Sequence, residues 1–267
     1  MFHTDTGEGR PLVLLHGWGF DHGSWQPIID LLAAQYRVIV PDLRGHGSSQ
    51  TPSEPYEFAA LSDDVNQLVE SLDLSEPPVV VGHSFGGMVA MQFAVDHPAS
   101  LGALVVVDAD LNPPGAFRFL MSANAWISAL LMRLSVRVLG ESGTLGLIPP
   151  LLALAAYSGS WRRAHRAVLA ESSRTFKTVN TVEGLVETLV AYANRPDLTR
   201  DLATAAPAAL VVRGSRDLIV SQGRIDALTR AIPDARLEIV PGAGHMTVIE
   251  QPQVVAGLVG AFLETRW

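Results

Sequence analysis

The chain has no cysteine among its 267 residues, which excludes disulfides, thiolate metal sites and a cysteine nucleophile. That composition suits a reducing cytosol, so a cytoplasmic location is the expectation. Met1-Phe2-His3-Thr4-Asp5 lacks the basic n-region and apolar h-region of a signal peptide. The most apolar stretch, Leu145 to Tyr157, is too short to cross a bilayer and is interrupted by Pro149-Pro150, so no membrane span is expected. Charged residues make up only 17% of the chain and the net charge is −8, which argues against nucleic acid as a partner. His3, His22, His97 and His165 have no metal-ligand spacing, so neither a metal nor a cofactor is expected. Apolar residues, by contrast, are plentiful: at 48% hydrophobic, one α/β domain of this length can bury a large core.

The strongest local signal is Gly82-His83-Ser84-Phe85-Gly86, placed directly behind the buried-strand run Val79-Val80-Val81. After it, Gly87 to Ala94 reads as a helix that stops before Pro98. G-x-S-x-G between a strand and a helix describes a nucleophile elbow, a turn so tight that the serine is strained and its hydroxyl exposed. Glycines two residues to either side are needed because a Cβ there would meet the neighbouring strand or helix.

A serine hydroxyl needs a base, and the base needs a carboxylate to fix its tautomer. Both occur downstream, each just past a strand. Ala209–Arg213 leads into Gly214-Ser215-Arg216-Asp217, and Leu237–Val240 leads into Pro241-Gly242-Ala243-Gly244-His245. Upstream, Leu12–Leu15 is followed by His16-Gly17-Trp18-Gly19, whose Trp18 N–H would join that of Phe85 in an oxyanion hole. The expected catalytic set is therefore Ser84, His245 and Asp217, with Trp18 and Phe85 also walling the site. Asp108 and Asp110, after the strand Ala103–Val107, are the alternative source of the acid. His16, His46 and His83 are read as turn or supporting residues, and Asp42, Arg44 and His46 as bracing the oxyanion loop.

With these pieces in order, the chain resembles the α/β-hydrolase family. Pro41-Asp42-Leu43-Arg44-Gly45-His46-Gly47-Ser48-Ser49 after Val38–Val40, and Glu250-Gln251-Pro252 after His245, belong to the same resemblance, which covers roughly residues 10–110 and 200–265. It implies an α/β fold: a mostly parallel, doubly wound sheet with a helical cap inserted after the strand that follows the nucleophile helix. The first core strand begins so early that the usual leading antiparallel pair is reduced to at most one edge strand. The expected division is a core of residues 1–111 and 201–267 with a cap of residues 112–200. Serine at the elbow counts against the dehalogenase and epoxide hydrolase branches, which use aspartate. The text looks more like carboxylesterases, enol-lactonases and cofactor-free perhydrolases.

The cap segment has its own character. Residues 112–200 carry ten Lys/Arg and five Asp/Glu, a balance of +5, against −13 for the remainder. Apolar residues recur at helical steps from Phe117 to Val138, with further helices expected over Trp161–Phe176 and Val182–Asn194 and joints at Pro149-Pro150 and Gly159. The cap reads as apolar beneath and basic above, with Phe117 and Met121 joining Trp18 and Phe85 in a substrate pocket. Arg162, Arg163 and Arg166 form either a solvated helix face or a docking surface for an acidic acyl carrier. The implied activity is hydrolysis of a small-molecule carboxylic ester or lactone. A cofactor-free haloperoxidase or perhydrolase is the alternative, and a slow ligand-binding protein of the same fold is a more distant one.

Overall fold

The computed structural model describes residues 1–51, 56–111 and 116–266, the side chains of residues 116–121 excepted. Seven strands form one sheet: β1 (His3–Thr6), β2 (Arg10–Leu15), β3 (Tyr36–Pro41), β4 (Val79–His83), β5 (Ala103–Val107), β6 (Ala209–Gly214) and β7 (Ala235–Val240). Their spatial order is β1-β3-β2-β4-β5-β6-β7. Only β1 runs antiparallel, pairing with β3 from His3↔Pro41 to Thr6↔Val38. The single short edge strand fits the early start of β2.

Strands buried on both faces read as continuous apolar runs rather than alternating ones, and here alternate residues serve opposite layers. Val13, Leu15, Val80, Leu104 and Val106 face one core layer, where α2 (Phe58–Ser71), α3 (Phe85–Asp96), α8 (Thr199–Ala205) and α9 (Gln222–Ala231) pack. Leu12, Leu14, Val79, Val81, Val105 and Val107 face the other, covered by α1 (Gln26–Leu32) and α11 (Pro252–Arg266). From β2 the chain winds outward to β3 and then returns across it to β4. The sheet's order therefore reverses between β2 and β4, and a crevice opens above their carboxyl ends at such a switch point.

Over that edge lies a helical insert: α4 (Ala116–Ala156), α5 (Gly159–Ala164), α6 (Arg166–Val179) and α7 (Val182–Asn194). It has a small core of its own, built from Ala129, Leu145, Phe176, Val182, Leu185 and Val186. Three sequence expectations are corrected here. The break in the first long segment falls at Gly140, whose φ of 71° suits a residue without a Cβ. Pro149-Pro150 instead lies within the helix that follows. The helix expected over Trp161–Phe176 is divided at His165 (φ −120°, ψ 42°) into α5 and α6. The third correction concerns orientation: Ile127, Leu130, Leu131, Leu134 and Val138 face solvent, so the insert is not simply apolar beneath and basic above. Val182–Asn194 is helical as expected.

Candidate active site

At the end of β4 the backbone turns into α3 through Ser84, which holds φ 51° and ψ −115°. Such a conformation is costly for a residue with a Cβ, and the packing on either side enforces it. A Cβ on Gly82 would stand 2.3 Å from the Gly86 carbonyl oxygen, and one on Gly86 would stand 2.3 Å from that of Leu15. Strand and helix can approach this closely only with glycine at both places.

Above the turn, His245 Nε2 and Ser84 Oγ are 2.9 Å apart, and His245 Nδ1 and Asp217 Oδ2 are 2.9 Å apart. The carboxylate accepts from Nδ1–H, which leaves Nε2 free to accept the serine proton. Asp217 is anchored through its other oxygen, which accepts the N–H groups of Ile219 at 2.7 Å and Val220 at 3.0 Å. Burial works against the charge on Asp217, but the hydrogen bond and charge of His245, with those two N–H groups, hold its carboxyl below the usual range. Burial likewise opposes protonation of His245, yet Asp217 beside it, with Asp108 and Asp110 further off, raises its pKa above the ordinary imidazole value.

Asp108 lies outside this chain of bonds. Its Oδ1 accepts from Gly214 N–H at 2.8 Å and its Oδ2 from Thr247 N–H at 3.2 Å, so it ties together the two loops that carry Asp217 and His245. Burial pushes its carboxyl up to about 7. Asp110, also pushed up by burial, pairs with Arg224 and lies 3.7 Å from Arg195. His83 donates Nε2–H to the His245 carbonyl at 2.9 Å and therefore supports the loop beneath the imidazole. The predicted brace is only partly as expected. Asp42 accepts from His22 N–H and Ser48 N–H and so joins the loops after β2 and β3, whereas Arg44 turns away to pair with Asp64 on α2.

Phe85 is the first residue of α3, so its N–H has no carbonyl partner within that helix. Trp18 stands opposite, in a loop closed by Phe20 N–H to Gly17 O at 3.1 Å. Its indole Nε1–H donates to Leu185 O and to Thr188 Oγ1 on α7, which fixes this loop to the insert. Asn180 adds a second tie by donating to Gly19 O at 2.9 Å.

Four further hydrogen bonds were not legible in the sequence as functional. Both His245 N–H and Met246 N–H donate to Ala156 O at the end of α4, and Glu250 Oε1 accepts from Ser158 N–H and from Gly244 N–H. The insert thus grips the loop that carries the imidazole. Only the Glu250-Gln251-Pro252 motif hinted at one of these partners.

Ser84 and His245 open into a mostly apolar cavity of about 240 Å³, walled by Trp18, Phe85, Met88, Leu152, Phe176 and Leu189 among others. Of the four residues read as a substrate pocket, Trp18 and Phe85 line this cavity, while Phe117 and Met121 have side chains outside the described residues. The insert's contribution comes from the second half of α4, from α6 and from α7. Among the described residues no group of three or more His, Asp or Glu could hold a metal ion.

Comparison with known proteins points the same way. Residues 10–252 match a family described as the alpha/beta hydrolase fold. A thermophilic esterase from Thermogutta terrifontis superposes with a TM-score of 0.87 at 30% identity, over 99% of this chain and 93% of the other. An enol-lactonase from Burkholderia xenovorans LB400 gives a TM-score of 0.84 at 23% identity, over 98% and 96% of the two chains, and so speaks for the fold alone. A non-heme chloroperoxidase from Kitasatospora aureofaciens is 30% identical over 92% of this chain and 88% of its own.

Proposed function

We propose, for a chain that belongs to the alpha/beta hydrolase fold family, a serine hydrolase that cleaves a carboxylic ester or lactone through an acyl-enzyme. One observation carries the reading: a strained serine at the mouth of an apolar cavity, bonded to an imidazole that is itself bonded to a buried carboxylate.

In this mechanism Ser84 Oγ attacks the carbonyl carbon as its proton passes to His245 Nε2. Asp217 keeps the imidazole in the right tautomer and stabilises the imidazolium. The tetrahedral oxyanion is bound by the Phe85 and Trp18 N–H groups, which supports each barrier crossing by several kcal/mol, as preorganised donors do (about 2.7–4 kcal/mol for one donor). The imidazolium then gives its proton to the leaving alkoxide, and in the second half His245 draws a proton from water as it attacks the acyl carbonyl. An alkoxide leaves more easily than an amine, and a cavity of about 240 Å³ is small for a peptide segment, so an ester or lactone is preferred to an amide.

The test is a fluorophosphonate label with Ser84→Ala as control. Labelling should vanish and kcat should fall by roughly a million-fold with the melting temperature preserved. Near wild-type hydrolysis of p-nitrophenyl acetate by that variant would sink the mechanism. The chloroperoxidase relative favours one second reading, peracid formation from a carboxylic acid and peroxide by the same residues. Peroxide-dependent halogenation faster than ester hydrolysis would select it. A protein that neither labels nor turns over would instead be a ligand-binding member of the family.

A further inference from the structure

The outer surface of the insert is apolar along one helix, and none of the described residues covers it. Between Ser122 and Ala156, α4 is long and apolar enough to cross a membrane by length and composition, yet only 17% of its most apolar stretch is buried. It is therefore not an ordinary core helix. Before Gly140, Trp126, Leu130, Leu134 and Val138 form an i, i+4 ladder toward solvent, with Ile127 and Leu131 beside it. After Gly140, Leu147, Leu151 and Leu154 are exposed at i, i+4 and i+7 and form a second ladder. Val138 is 83% exposed and Leu151 67%. Single exposed apolar residues are commonplace, but two ordered ladders on one element mark an interaction surface.

The occupant follows from geometry and charge. A bilayer span is disfavoured by the break at Gly140 and by Arg133, which bonds Glu187 on α7 at 2.5 Å. Inserting α4 would drag those charges inward or tear it from α7, which holds the Trp18 indole. A second copy of the chain is disfavoured because a two-fold contact sets like surface on like, and here each insert carries a balance of +5. That charge borders the apolar ladders. Arg137 is exposed on α4 just before Val138, and Lys177 Nζ lies 3.5 Å from where a Cβ on Gly146 would be, next to Leu147. An apolar face edged by cations, on a body whose remainder carries −13, is suited to an anionic surface of amphiphiles.

We propose that the outer face of α4 lies in the plane of an anionic lipid bilayer, its two ladders in the acyl–headgroup boundary and its basic border on the headgroups. The inner side of the same helix supplies Leu152, Ala153 and Ala156 to the cavity. Docking would therefore set the cavity's roof against the lipid. The docking does not rest on the hydrolase reading.

The full chain, wild type and Ser84→Ala, is floated with vesicles of phosphatidylcholine alone and of phosphatidylcholine with about one part in three phosphatidylglycerol. Both proteins should float with the anionic vesicles, with an affinity about tenfold or more above that for the neutral ones, falling as salt is raised. Leu130→Glu with Leu134→Glu should lower that affinity by about tenfold or more. Both positions are exposed, so the melting temperature should stay within a few degrees. Leu151→Gln provides a milder second variant. Flotation with neither vesicle, or equally with both, overturns the proposal. So does retention in the membrane through alkaline carbonate, which means a span. A dimer in sedimentation that the double variant dissociates also overturns it, since the face then belongs to a second copy.

Discussion

Ser84 and Asp108 share an uncommon backbone state, with φ 51° and 49°, but their side chains serve different ends. Ser84 projects toward the cavity, while Asp108 turns back to accept the Gly214 and Thr247 N–H groups. The sequence left two candidates for the acid, and the distances separate them: Asp217, not Asp108, meets His245 Nδ1. Asp217→Asn should lower kcat by roughly four orders of magnitude, because the imidazole loses the acceptor that fixes its tautomer. The residual activity should also shift in pH. The pKa of His245 is raised by Asp217 over the opposing effect of burial, and only the neutral ring can take the serine proton. Removing the carboxylate must therefore move the acid limb of kcat/KM to lower pH. A pH–rate profile on a p-nitrophenyl ester reads both effects. Asp108→Asn should retain most of the activity, and the reverse ranking of the two variants would reassign the acid.

At the scale of elements, the insert decides what fits. The second half of α4, with α6 and α7, roofs the cavity, while the first half of α4 sends its regular apolar pattern outward to solvent. Each acyl methylene buried beneath that roof contributes about 0.8 kcal/mol, so kcat/KM should climb several-fold per carbon along a series from acetate to decanoate. It should then fall once the cavity of about 240 Å³ is full, because packed walls do not stretch. Leu152→Ala, on the roof, should move the maximum to a longer chain. A flat profile in wild type and variant alike would mean that the acyl group lies elsewhere.

Across the whole molecule, buried imidazoles set the response to acid. Burial drives both His46 and His83 down to about 3 from an ordinary 6.5, and it lowers His16 as well. Below pH 6.5 the unfolded chain binds protons that these folded rings refuse, so each ring withdraws about 1.4 kcal/mol of stability per pH unit as pH falls toward their folded values. Asp108 works in the opposite sense. Held at about 7 against an ordinary 3.8, it keeps a proton that the unfolded carboxyl has lost, so its contribution grows as pH falls through 7. Urea midpoints should thus drop from pH 6.5 to 5, and Asp108→Asn should steepen the drop by about 1.4 kcal/mol per unit. An unchanged slope in that variant would show that Asp108 is ionised throughout.

Much of the sheet, and the meeting of Ser84, Asp217 and His245 at one edge of it, was legible in the sequence because both rest on local rules. Strands buried on both faces must be continuous apolar runs, as Val79–Val81 and Ala103–Val107 are, and a turn as tight as that at Ser84 tolerates only glycine at positions 82 and 86. Ser84 and Asp217 follow such runs and His245 follows the edge strand β7, so parallel pairing delivers all three to one edge of the sheet. The tertiary structure decided what periodicity cannot carry. A 3.6-residue pattern marks an apolar stripe without saying what it faces, and on α4 the stripe from Trp126 to Val138 faces outward. The choice between Asp108 and Asp217, and the ties of Ala156 to the His245 loop and of Ser158 to Glu250, depend on contacts between residues tens of positions apart. Such contacts are fixed by the packing of whole elements and leave no mark in the local order of residues.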